Sequence, residues 1–224
     1  MHQIKNSLSA LLVVLLIAGC ASSKTVPKAE FSGYLGDYSE LKPTKDASGH
    51  EILRWLSPKL KPNAYSKMIM EPIVFYPAPK ATKQVSLQTL DQIRSYLNKA
   101  ADKQVGQAIK LTNKAGPGVL RLRIAITGAA TQTEALKGYQ YIPVALLVVG
   151  AESAAGERDR EAYIVLEAEL LDSRTGERLG MVVRKDVAKK LLKNDKQQLT
   201  LADVKPMLDD LALQARNFVE HTIK

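Results

Sequence analysis

Between Ser86 and Lys110, apolar side chains recur at three- and four-residue steps: Leu90, Ile93, Leu97, Ala101, Val105 and Ala108. Asp91, Arg94, Lys99, Lys103 and Lys110 fall off that stripe, which is the pattern of a helix burying one face. Ser86 suits its N-cap, and Gly116-Pro117-Gly118 is expected to stop it. A second stripe of Leu208, Leu211, Ala212, Ala215, Phe218, Val219 and Thr222 predicts a closing helix. Pro206 suits its first turn, while Thr200 with Asp203 offers an earlier cap.

Elsewhere the period is two. Leu120, Leu122, Ile124 and Ile126 alternate with Arg121 and Arg123 across Val119 to Thr127. Ile164, Leu166, Ala168 and Leu170 alternate with Glu167 and Glu169 across Glu161 to Leu171. Asp172-Ser-Arg-Thr-Gly176 turns the chain, and Glu177 to Val187 returns as a hairpin partner. Lys67 to Tyr76 is a further strand, placed at an edge or bulged because Pro72 lacks an amide donor. Phe31, Tyr34, Leu35, Tyr38 and Leu41, interrupted by Gly33 and Gly36, predict a turn-rich segment that packs on the core, and 44–65 read as an ordered loop. Together these elements predict a single α+β (or α/β) domain over residues 66–224, behind an ordered segment at 31–65. Its core is one mixed sheet of about four strands packed by two or three helices.

Two stretches fit neither period. Residues 138–156 are apolar all round from Val144 to Ala151, which suggests a buried helix or lid. The alternative is an exposed apolar patch, with Tyr139, Tyr141 and Ile142 as a possible binding surface. Leu8 to Ile17 is apolar but about ten residues long, half of the roughly twenty that a membrane span needs. With Lys5 before it and small residues after it, residues 1–19 have the anatomy of a secretory signal peptide.

The exit from that peptide, Ile17-Ala18-Gly19-Cys20, resembles the lipobox of bacterial lipoproteins, and Cys20 is the only cysteine in the chain. A lone thiol in an exported protein calls for an explanation, and acylation of Cys20 supplies one. Each acyl methylene buried in a bilayer contributes about 0.8 kcal/mol, so two or three chains anchor firmly. Residues 20–30 then read as a polar tether. Ala21 and Ser22, with no Asp beside the cysteine, resemble an outer-membrane address facing the periplasm.

Removing 1–19 lowers the formal net charge from +9 to +8. That basic balance suits anionic lipid headgroups or acidic envelope proteins as partners. A secretion signal argues against nucleic acid.

Candidate chemistry is sparse. His50 and His221 lie far apart, zinc-site spacings are absent, and no cofactor loop is present, so neither a metal nor a cofactor is expected. Glu167 and Glu169 share a sheet face and could act as an acid–base pair, but Arg121 and Arg123 give them a simpler use as cross-strand ion pairs.

Three segments carry a resemblance to a family. They are Ser32-Gly-Tyr-Leu-Gly-Asp-Tyr-Ser39, the Pro72 to Pro77 strand, and Val165-Leu-Glu-Ala-Glu-Leu-Leu-Asp-Ser-Arg-Thr-Gly176. From Phe31 onward the chain resembles the bacterial lipoproteins of domain of unknown function 3313. The resemblance implies a periplasm-facing lipoprotein and brings no activity or site residue with it. The expectation is therefore a non-catalytic, lipid-anchored protein that binds or scaffolds envelope components. A small-ligand carrier using 138–156 as a lid is the alternative, and a hydrolase on Glu167 and Glu169 comes third.

Overall fold

The computed structural model describes residues 25–28, 31–82, 85–127, 147–152, 158–192 and 198–224. Among the described residues, nine strands form one mixed sheet: β1 (Lys42–Lys45), β2 (Glu51–Leu56), β3 (Lys67–Met70), β4 (Val74–Phe75), β5 (Lys110–Leu111), β6 (Val119–Thr127), β7 (Leu147–Glu152), β8 (Arg158–Asp172) and β9 (Arg178–Leu192). Their spatial order is β1-β2-β9-β8-β6-β3-β5, with β4 also beside β6 and β7 also beside β8. The α+β class stands, but the sheet is about twice the size expected.

The additional strands come from four places, one of them β5, just after the first helix. Residues 44–65, expected as a loop, contain most of the β1–β2 hairpin, which pairs antiparallel with β9. The single strand expected over Lys67 to Tyr76 is two, β3 and β4, both parallel to β6. Pro72 falls in the break between them, where the neighbouring Ile73 amide donates to Asn98 Oδ1 at 2.8 Å instead of to a strand. Residues 147–152 of the expected helix or lid are β7, antiparallel to the start of β8.

Helix α1 (Leu87–Ala108) is capped by Ser86, whose hydroxyl accepts the Thr89 amide at 3.0 Å, and all six residues of its stripe are buried. It ends well before Gly116, because Lys110 and Leu111 are drawn into pairing with β3. Helix α2 (Leu201–Phe218) takes the earlier cap: the Asp203 carboxylate accepts from the Thr200 amide at 2.9 Å and from its hydroxyl at 2.7 Å. Pro206 therefore lies inside the helix, and a π-helical turn, Val219–Ile223, finishes the chain. Among the described residues, no helix is long and apolar enough to cross a membrane.

The alternation of β8 assigns the two sheet faces. Ile164, Leu166, Ala168 and Leu170 point to the layer of α1 and α2. Tyr163 and Val165 point the other way, under Phe31, Tyr34, Tyr38 and Leu41. Among the described residues, packing on that second face reaches back to Val26, which is 3% exposed and lies within the stretch expected to be tether.

Candidate functional site

Beneath the segment 31–41 lies a layer of charged groups held by three strands. Gly33 and Gly36, at φ +90° and +72°, let the chain double back here, a conformation that side chains with a Cβ resist. The turn places the Tyr38 hydroxyl where it accepts the amides of Gly33 at 2.8 Å and Leu35 at 3.2 Å and donates to Glu167. Glu167 also accepts the Ser32 amide at 2.8 Å and is fully buried. Glu169, equally enclosed, accepts from Arg123 and from Arg178 Nε at 2.9 Å. Arg178 in turn donates to the Leu35 carbonyl at 2.8 Å, which ties the segment to the sheet.

Of the two ion pairs expected from Arg121, Arg123, Glu167 and Glu169, the strand register makes one. Arg123 faces Glu169, but Arg121 faces Leu171 and Glu167 faces Ala125. Arg121 pairs with Glu71 at 2.7 Å, and Glu167 is taken up by the overlying turn. Both glutamates thus serve to fasten the Ser32-to-Ser39 segment, Glu167 fully buried and Glu169 4% exposed.

Burial, and next the hydrogen bond to Glu167, push the Tyr38 phenol up to about 12 from its ordinary 10.0. Below pH 10 the phenol is protonated whether the chain is folded or not. Between pH 10 and 12 the unfolded chain sheds that proton while the folded one keeps it, so stability is lost as pH rises. Tyr38→Phe is expected to be less stable than the parent at pH 8, with the gap narrowing from pH 10 upward. Urea midpoints across that range measure it, and a constant gap would contradict a phenol held protonated.

The helix face of the sheet encloses a cavity of about 380 Å³. Its origin is in the sequence: Ala101, Ala168, Ala212 and Ala215 occupy places where α1, α2 and β8 meet, and alanines leave volume unfilled. Leu122 and Val182 line it and are only half-buried, although β6 and β9 are interior strands. Most of the wall is apolar, and its charged or titratable members are Lys45, Asp46, Arg54, Glu169, Arg184 and His221. Arg184 gives two hydrogen bonds to Asp186, at 2.7 and 2.6 Å. Burial works against its charge, but Asp186, Asp46 and Asp210 outweigh that and hold its pKa above the ordinary value. Arg54 has no ion-pair partner among the described residues.

Sequence spacing set His50 aside, yet the fold carries it to Asp186 of β9 and Asp210 of α2, with ligand atoms of all three within 4.8 Å of one another. His221 lines the cavity. Nothing in the chain order signals either placement, since the partners come from distant elements. Cys20, with Ile17, Ala18 and Gly19, and Tyr139, Tyr141 and Ile142, expected as a possible binding surface, lie outside the described residues.

Residues 30–215 match the family model described as protein of unknown function (DUF3313). The chain is 37% identical over 210 residues to the uncharacterized lipoprotein YdcL of Escherichia coli strain K12, covering 94% of each. Among solved structures it is similar to a minor lipoprotein from Acinetobacter baumannii, at 13% identity and TM-score 0.36 over 71% of this chain and 93% of that one. It is also similar to protein XCC0632 from Xanthomonas campestris, at 13% identity and TM-score 0.35 over 81% and 92%. Scores this low carry no argument about function.

Proposed function

This chain belongs to the DUF3313 family and is a bacterial lipoprotein, and from that premise we propose that its domain binds a small amphipathic component of the cell envelope. Anchored through Cys20 to the outer membrane and facing the periplasm, it binds without catalysing a reaction. The observation that carries this is the cavity. Its volume lies in the range of about 300–1,000 Å³ typical of ligand sites, and its walls are apolar with a few convergent polar groups. An acyl-like tail fits the apolar end beneath α2. An anionic head suits Arg54, which lines the cavity and has no ion-pair partner among the described residues. The carrier needs no lid from 147–152, because that stretch is a sheet strand.

A fluorescent fatty-acid analogue is expected to bind saturably to the full-length protein in detergent. Ala168→Leu, which fills the cavity from the floor of β8, should weaken that binding at least tenfold while the far-UV circular dichroism stays unchanged. Arg54→Ala should weaken it by a smaller factor. Absence of saturable binding, or undiminished binding to Ala168→Leu, would defeat the assignment.

A further inference from the structure

We infer that His50, Asp186 and Asp210 form a binding site for a divalent transition-metal cation, beside the cavity but independent of whether anything fills it. One imidazole and two carboxylates from the β1–β2 turn, β9 and α2 present ligand atoms within 4.8 Å of one another. Tetrahedral coordination at about 2.1 Å sets ligand atoms about 3.4 Å apart, so a small inward movement of side chains closes the site.

The surroundings hold two of the three ligands in advance. The His50 amide donates to Asp46 Oδ1 at 2.9 Å, and the Asp46 amide donates to the His50 carbonyl at 3.0 Å, which fixes the turn that bears the imidazole. Asp186 is held by the two hydrogen bonds that its carboxylate accepts from Arg184.

An independent observation points to a ligand here. The Asp46 side chain is 8% exposed, and its Oδ2 is buried without a hydrogen-bond donor. That oxygen lies 3.4 Å from His50 Nδ1 and 3.5 Å from Arg184 Nη1, in ion-pair range of both. Metal-bound histidines characteristically give the ring N–H away from the metal to a carboxylate, which orients the ring and makes the bound nitrogen more basic. Asp46 stands in that position, leaving His50 Nε2 to face the cation. Charge agrees: three carboxylates gather around one guanidinium, and a divalent cation neutralises the remaining two negative charges. Mixed imidazole and carboxylate donors suit zinc and its first-row neighbours better than calcium or magnesium.

Isothermal titration of the mature, acylated protein in detergent with Zn²⁺ tests this. One equivalent should bind, with a rise in Tm that a chelator reverses. His50→Ala and Asp210→Asn should each weaken binding at least tenfold, and neither removes a partner of Arg184 at hydrogen-bond distance, so both should fold. Asp186→Asn is avoided because it would strip the buried guanidinium. Failure to bind Zn²⁺ up to millimolar concentration overturns the site, as does equal binding by the parent and both variants.

Discussion

Cys20→Ser is expected to abolish incorporation of labelled palmitate and to leave residues 1–19 uncleaved, so that only the heavier precursor is recovered. Oxygen cannot replace sulfur in a thioether, and the proposed cleavage follows acylation. A single acyl chain binds a membrane only marginally, at about 10⁴ M⁻¹, while two or three hold it durably. Among the described residues, no helix is long and apolar enough to cross a membrane. Mass spectrometry of the envelope fraction decides the matter: a mature, acylated Cys20→Ser protein would remove the basis for anchoring at this position.

Glu169→Ala should lower unfolding stability by about 3 kcal/mol, at the low end of the cost of removing one partner from a buried charge cluster. Glu169 is 4% exposed and satisfies both Arg123 and Arg178, so the truncation leaves Arg123 only Glu71, at 3.4 Å, as an ion-pair partner and takes the carboxylate from Arg178. Those arginines are about a third exposed and recover some hydration, which keeps the loss from being larger. Urea denaturation measures it, and a loss below about 1 kcal/mol would mean that the cluster is not what fastens the segment 31–41 to the sheet.

Elements with one wet face were legible from the sequence. The α1 stripe and the β6 alternation are plain because solvent or charge marks the opposite side. The β2 strand escaped because both of its faces are occupied: Leu53 and Trp55 meet the segment 31–41, while Ile52 and Leu56 line the cavity, so no period shows. The uniformly apolar run around β7 suggested a helix for the same reason: apolarity without alternation does not separate a strand from a buried helix. Arg123 with Glu169 could be read from matched alternation, but the register that diverts Arg121 and Glu167 depends on which residues of β6 and β8 stand opposite. The cavity was invisible because alanines read as ordinary core. The His50 cluster was invisible because its members come from a turn, a strand and a helix far apart in the chain.

The early docking of Val26 shortens the leash. From Cys20 to Val26 is six residue steps, which even fully stretched reach only about 20 Å. With fatty chains on Cys20, the domain would sit close against its bilayer, about a domain's own width at most from the lipid. The side bearing Phe31 and Tyr38 would be turned toward the headgroups, and the two long helices would look outward into the aqueous compartment.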